Sequence, residues 1–257
     1  MSAPRVSVVV RCYRQARFLP GAVASVVAQT FGDWEIVVLD DGSPDDTPAV
    51  TAALAADHPG RIIRHVRQEN AGPPRALNAG IAAASAELVL PLDADDQLHP
   101  TFLEKTVSAL DRDPAASVAF TDVVLFGAVC SGWRMGPFTV EALRDRNRLC
   151  VTSLFRRRLW IEAGGFRPEM DLGYEDWDFW VTCAERGARA VHVRQPLFFY
   201  RMHDPAGSTN AVALRHHEQL VAAVVMQHPG VYGPAGVERA RALLAARPLP
   251  ARASLRG

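Results

Sequence analysis

Residues 6–41 read VSVVVRCYRQARFLPGAVASVVAQTFGDWEIVVLDD, and this stretch decides the fold. Val6-Ser7-Val8-Val9-Val10 is a β-branched apolar run, the pattern of a strand buried on both faces. Leu19, Ala22, Val23, Val26 and Val27 then recur at helical spacing. Residues 34–39 repeat the buried-strand pattern and break at Asp40-Asp41-Gly42-Ser43-Pro44. Strand, helix and second buried strand in this order predict a βαβ unit with a parallel pair.

Working outward, the alternation continues. Asp46 or Thr47 is expected to cap a helix through about residue 56, with Pro48 in its first turn. Residues 61–66 read as a third strand, 74–84 as a helix, 87–92 as a fourth strand, 100–110 as a helix and 117–125 as a strand. This order predicts an α/β fold with a Rossmann-like, mostly parallel sheet flanked by helices. In such sheets ligands gather beyond the carboxyl ends of the strands. The polar clusters Arg11-Cys12-Tyr13, Asp40-Asp41-Gly42 and Asp93-Ala94-Asp95-Asp96 all fall there. The second half is less regular. Residues 130–146 read as loop with a short helix, 151–155 as a strand and 164–166 as a turn. A helix over 175–186 stops at Gly187. Two short strands around Pro196 are expected within 188–200, helices over 212–226 and 237–246, and a fraying tail over 247–257.

Composition narrows the function classes. The 257 residues are 49% hydrophobic and 22% charged, which excludes global disorder. Lys+Arg and Asp+Glu are both 28, so no bulk attraction to nucleic acid or anionic lipid is implied. Cys12, Cys130, Cys150 and Cys183 are scattered without a CxxC pair, so buried free thiols are expected rather than zinc or a disulfide framework. The apolar stretch near the N-terminus is too short for a signal peptide or a membrane span, and no other run reaches spanning length, so a cytoplasmic location is expected.

Four clusters carry chemistry. Asp93, Asp95 and Asp96 follow an apolar strand directly; like charges this close repel, and a divalent cation removes that cost. Carboxylate oxygens suit Mg²⁺ or Mn²⁺, which complete their shell with substrate phosphates. The alternative is a cap for the helix after Pro100. Asp40-Asp41-Gly42-Ser43 can accept from a base N–H or a ribose hydroxyl, or form a turn and helix cap. Glu175-Asp176 begins a helix, where acids answer the helix dipole; a sheltered Asp176 would instead serve as a general base. In Tyr200-Arg201-Met202-His203 the arginine can clamp phosphate and the histidine can ligate metal or pack in the core. Arg156, Arg157 and Arg158 read as a solvated charge run, and His216 and His217 as surface residues.

The set in order is residues 6–47, NAGPPRALNAGI (70–81), LPLDADD (90–96), GGFRPEMDLGYEDWDFW (164–180) and YRMH (200–203). It resembles a family 2 glycosyltransferase of the GT-A fold over about residues 5–209. The resemblance implies inverting transfer of a sugar from a nucleotide-diphosphate sugar to an acceptor hydroxyl or amine, assisted by Mn²⁺ or Mg²⁺. It implies that Arg11 and Tyr13 line the nucleobase pocket, that Asp41 contacts the base and that Arg75 flanks the nucleoside. Asp93 and Asp95 match the acids beside ribose and metal, Asp176 the catalytic base, and His203 a late metal ligand, with Arg201 near the diphosphate. Arg14, where the family often has Asn, and Leu77, where it often has Arg, depart from the pattern near the nucleobase.

The expected division is a GT-A domain over 1–209 with a C-terminal helical extension over 210–257. The expected partners are the nucleotide-sugar donor and a small-molecule, glycan, lipid-linked or peptide acceptor, with no nucleic acid and no transmembrane segment; the Arg-rich C-terminal helix reads first as an ordinary solvated helix, the alternative being contact with a partner or a peripheral place at the inner face of the membrane. Trp133, Arg134 and Trp160 are candidates for the acceptor side. Two other readings stand beside the transferase: a sugar nucleotidyltransferase, against which the missing glycine pattern in RCYRQARFLPG argues, and a non-catalytic nucleotide-sugar binding module.

Overall fold

The computed structural model describes residues 3–59, 61–203 and 213–251. The boundary expected at residues 209/210 lies outside the described residues, as do the start of the helix expected at 212 and the last part of the tail. The first half follows the expected alternation. Strands β1 (Val6–Cys12), β2 (Trp34–Asp40), β3 (Ile62–Arg67) and β4 (Leu88–Asp93) run parallel in the order β3-β2-β1-β4. Helices α1 (Leu19–Val27), α2 (Thr47–Asp57) and α3 (Pro73–Ala83) connect them. Val8, Val9 and Val10 on β1, Ile36 to Leu39 on β2 and Leu88 to Leu90 on β4 are fully buried, as their unbroken apolar runs require.

Gly80 shows how closely α3 lies on the sheet. A Cβ there would stand 2.4 Å from Val9 Cγ1, so no larger residue fits without moving the helix.

The second half extends the sheet by antiparallel and parallel additions. After β4 come β5 (Gln97–Leu98), α4 (Phe102–Arg112), β6 (Val118–Gly127), β7 (Ser131–Trp133), α5 (Val140–Asp145), β8 (Leu154–Arg156), α6 (Arg157–Ala163), α7 (Glu175–Glu185) and β9 (Ala190–Met202). The nine strands run β3-β2-β1-β4-β8-β6-β9-β5, with β7 on β6. Strand β8 joins β4 and β6 antiparallel, and β6 and β9 are parallel. Helices α8 (His217–Gln227) and α9 (Pro229–Ala246) close the chain, and Gly233 at φ 68 breaks α9 near its start. No helix among the described residues is long and apolar enough to cross a membrane.

Several expectations are corrected. The two strands around Pro196 are one strand, β9, whose register against β6 slips on both sides of the Asp122–Pro196 pair. Proline cannot donate to the ladder, so the slip absorbs it as a bulge. Residues 131–133, expected as loop, pair with β6 as β7. Helix α2 is capped by neither Asp46 nor Thr47: Asp45 Oδ1 accepts from Thr47 N (3.3 Å) and Thr47 Oγ1 (2.6 Å). Of the arginine run only Arg158 is exposed as expected. Arg156 is buried and donates to Ala116 O, Leu110 O and Glu87, while Arg157 donates to Ile81 O and Ala82 O. Leu110, Ile81 and Ala82 sit in the last turns of α4 and α3, whose carbonyls lack partners within the helix.

Candidate active site

The strand order reverses between β1 and β4, the place where doubly wound sheets open a crevice. Arg11 and Asp93 are directly paired in register there. Arg11 Nε and Nη2 donate to the two Asp93 oxygens, each at 2.8 Å, and Nη1 reaches Glu175 Oε1 at 3.2 Å. Burial alone would lower the Arg11 value; Asp93 and Glu175 outweigh it and hold the guanidinium firmly charged. Thus one arginine ties the acidic end of β4 to the start of α7.

Beyond Asp93 the chain turns sharply. Ligand atoms of Asp93, Asp95 and Asp96 lie within 4.8 Å of one another. Strand β5 pairs antiparallel with β9 and so brings the YRMH segment to this turn. Asp96 Oδ1 accepts from Arg201 N (2.7 Å), and His203 Nε2 donates to Asp95 Oδ2 (2.5 Å). Burial, then Asp93, push the Asp95 carboxyl up against the pull of His203. Burial, then Asp95 and Asp93, push Asp96 well above the usual carboxylate range. The turn does not cap α4, whose N-cap is Thr101. Crowded oxygens with too little positive charge, and an imidazole beside them, fit a hard divalent cation such as Mn²⁺ or Mg²⁺. Arg201 is clasped rather than loose: Nε donates to Asp95 O (2.8 Å), and the guanidinium lies over the rings of Phe126 (4.3 Å) and Phe18 (4.8 Å).

The end of β2 is built differently. Asp41 is buried and accepts from Gln68 Nε2 (2.7 Å), Ala71 N (2.9 Å) and Gly72 N (2.9 Å). Gly42 beside it is at φ 71, and a Cβ there would stand 2.7 Å from Asn70 N. These bonds shape an open groove of about 480 Å³ lined by Gly42, Arg67, Gln68, Glu69 and Asn70. Tyr13 is half-buried nearby and Arg75 is exposed on α3. Arg14 is at φ 57, in the left-handed region where Asn is several-fold enriched, which gives a backbone reason for the residue the family pattern favours there.

The third corner is α7. Gly173 at φ 133 and Tyr174 at φ 64 turn the chain so that Glu175 and Asp176 open the helix. Asp176 Oδ1 accepts from Trp177 N (2.7 Å) and Oδ2 from Asn147 Nδ2 (2.9 Å). Burial, then Glu175, push the Asp176 carboxyl up to about 7. A carboxylate poised there is half ionised at neutral pH, as general-base work requires.

Sequence reasoning missed three supports. Asn78 accepts from Trp160 Nε1 and Phe166 N and donates to Phe166 O, pinning the Gly-Gly-Phe turn that leads to α7. Trp160 is therefore spent on this turn, while Trp133 and Arg134 are exposed. Asn147 carries no motif of its own. His217, expected at the surface, is exposed yet hydrogen bonds with the Tyr174 hydroxyl (2.6 Å).

The description "Glycosyl transferase family 2" matches residues 7–156. The chain belongs to glycosyl transferase family 2. It is 40% identical over 114 residues to an uncharacterized glycosyltransferase of Nostoc, covering 44% of this chain and 35% of that one. It is 29% identical over 199 residues to a PGL/p-HBAD biosynthesis glycosyltransferase of Mycobacterium tuberculosis, covering 75% and 76%. A mannosyltransferase from Pyrobaculum calidifontis, solved with GDP-Man and Mn²⁺, superposes with a TM-score of 0.66 at 20% identity, covering 99% of this chain and 79% of that one. The α/β architecture is thus the GT-A fold, and the family 2 chain is a glycosyltransferase.

Proposed function

We propose that this transferase moves a sugar from a nucleotide-diphosphate sugar to an acceptor hydroxyl or amine in one inverting displacement, with Asp176 as base. The observation that carries the reading is the half-buried Asp176 carboxyl, pushed up to about 7 and joined through Glu175 and Arg11 to the Asp93–Asp96 turn. Glu175 is engaged by Arg11, which leaves the neighbouring Asp176, without a charged partner of its own in hydrogen-bond contact among the described residues, as the acid to take a proton. The acceptor oxygen or nitrogen loses its proton to Asp176 as it attacks the anomeric carbon from the face opposite the diphosphate. The bond from that carbon to the diphosphate oxygen breaks in the same step, so no covalent sugar–enzyme bond is needed. Asp93, Asp95 and His203 would hold Mn²⁺ or Mg²⁺, which when bound supplies positive charge to the departing diphosphate. Tyr13, Asp41 and Arg75 would border the nucleobase and nucleoside, the groove over Gly42 and Arg67 to Asn70 supporting that placement. Arg201 would approach the diphosphate from beside Asp95.

The test is hydrolysis of a panel of UDP- and GDP-sugars with Mn²⁺. In the Asp176→Asn variant, donor affinity by calorimetry should stay within about twofold while turnover falls ~10²–10⁴-fold. An Asp176→Asn enzyme turning over at the wild-type rate would overturn the assignment. The anomeric configuration of the first product, read by NMR, should be inverted.

A further inference from the structure

Asp176 is not held by its own helix alone. Helix α5 is tied to α7, and the segment that follows α5 is in turn tied back to α5 and to the loop before it. Trp177 Nε1 donates to Leu143 O (2.6 Å), Arg148 Nε donates to Ala142 O (3.1 Å), and Arg148 O accepts from Gly136 N (3.4 Å). Within this fixed segment Asn147 Oδ1 accepts from Leu149 N (3.3 Å). An amide oxygen so engaged leaves the amide nitrogen pointing the other way, and it donates to Asp176 Oδ2 at 2.9 Å.

We propose that Asn147 is the positioning residue of the base, its amide pinning the Asp176 carboxyl so that one lone pair of Oδ2 faces the acceptor. This rests on the reading of Asp176 as base. With Trp177 N–H on Oδ1 and the amide on Oδ2, rotation of the carboxyl about its Cβ–Cγ bond is stopped from both sides. Each carboxylate oxygen has a second lone pair, so neither contact blocks proton uptake. The choice of a neutral donor also matters. The guanidinium of Arg11 is committed to Asp93 and Glu175, and an arginine or lysine in place of Asn147 would hold Asp176 fully ionised and weakly basic. The charged or titratable groups facing Asp176 are Glu175 on its own helix, Arg11 from β1, Tyr174 before the helix and Cys150 from the segment that carries Asn147. Burial and Glu175 raise the carboxyl; the Trp177 N–H, Asn147 and Arg11 lower it. Removing the amide therefore raises it further.

The test uses the full chain as Asn147→Ala and Asn147→Asp. The second variant is isosteric and keeps the oxygen that accepts from Leu149, so it separates the contact to Asp176 from local folding. The Asp176 carboxyl is followed by ¹³C NMR of aspartate-labelled protein and assigned by its loss in Asp176→Asn. In Asn147→Ala the midpoint should rise by about one pH unit, and in Asn147→Asp by more. UDP- and GDP-sugar hydrolysis should fall at least about fivefold at pH 7 through kcat, with donor KM unchanged, and at pH 9 recover the part due to protonation while the part due to the unpinned carboxyl persists. A purely structural role would not recover with pH. An unshifted midpoint in both variants beside an inactive Asp176→Asn enzyme overturns this proposal alone. A shifted midpoint beside an Asp176→Asn enzyme of normal rate overturns the base assignment and this proposal with it.

Discussion

Two strand ends carry adjacent aspartates, and the molecule handles them in opposite ways. At the end of β2, Asp41 meets three N–H donors and Asp40 meets Ser43 N (2.7 Å) and Arg67 (3.3 Å). At the turn after β4, Arg11 holds Asp93, but the adjacent Asp95 and Asp96 have between them one histidine and one backbone N–H. The first corner is closed by the chain's own donors and shapes a groove. The second is left short of positive charge, so it gains most from a cation carried in with the donor. A pair of acids in sequence does not reveal which of these it is; the donors around it do.

The comparison is broken most directly by removing one acid from each corner. Asp95→Ala should cost about 100-fold or more in Mn²⁺-dependent binding of UDP or GDP, since losses in the shell behind a metal's ligands already reach ~10–100-fold. Asp41→Asn should leave the dependence on Mn²⁺ in place, whatever it does to affinity for the base. Calorimetry with and without Mn²⁺ reads both. Equal loss of metal dependence in the two variants would erase the distinction.

Stability should move the other way. Asp41→Asn presents an amide NH₂ to N–H groups that need an acceptor, and charged hydrogen bonds are worth ~1.5–3 kcal/mol each. A loss of about 3 kcal/mol lowers Tm by roughly 6–12 °C in a chain of this size. Differential scanning calorimetry without metal checks it; a Tm within a degree of wild type would mean that the three bonds to Asp41 contribute nothing net.

The metal-free turn after β4 should lose stability as pH rises. Asp96 titrates well above the ordinary carboxylate value in the folded state, so the folded chain binds that proton more tightly than the unfolded one. Stability is then intact below the unfolded value near 4 and is lost as pH rises toward the raised folded value. Asp96→Asn removes that loss and keeps an oxygen for Arg201 N. Without metal, Tm should rise by about 2–5 °C at pH 7.5 and by little at pH 4.5. Destabilisation at both pH values would show that the Asp96 carboxylate is better satisfied than its neighbours imply.

How much of this was legible in the sequence follows from where the signals lie. Apolar runs such as Val6–Val10 and Leu88–Leu92 carry their own burial, and acids directly after them mark the crevice. The EDW start of α7 is legible for a different reason, acids opening a helix after Gly173. Asn147 and Asn78 were not, because their roles come from contacts across 29 and 88 residues of chain. Arg156 was misread because its partners are helix-end carbonyls, which have no signature in composition. Pro196 reads in sequence as a break between two strands because the bulge that keeps β9 whole is visible only against β6.

The smallest effect tests whether the β2 corner is held by backbone shape as well as by hydrogen bonds. Arg14 leads the chain past this corner at φ 57, and its N–H donates to Ser43 Oγ (3.2 Å). Its guanidinium lies 5.4 Å from the centre of the Tyr13 ring. Comparing Arg14→Asn with wild type would mix lost ring contact with relieved backbone. Comparing Arg14→Asn with Arg14→Ala cancels the ring contact, because both variants lose it. What remains is the left-handed conformation, which costs a residue with a Cβ about 1–2 kcal/mol and is tolerated better by Asn through its local hydrogen bonding. Arg14→Asn should therefore melt about 1–3 °C above Arg14→Ala. Equal Tm values would place the strength of this corner wholly in the donors to Asp40 and Asp41, and the contrast with the turn after β4 would then be one of hydrogen bonding alone.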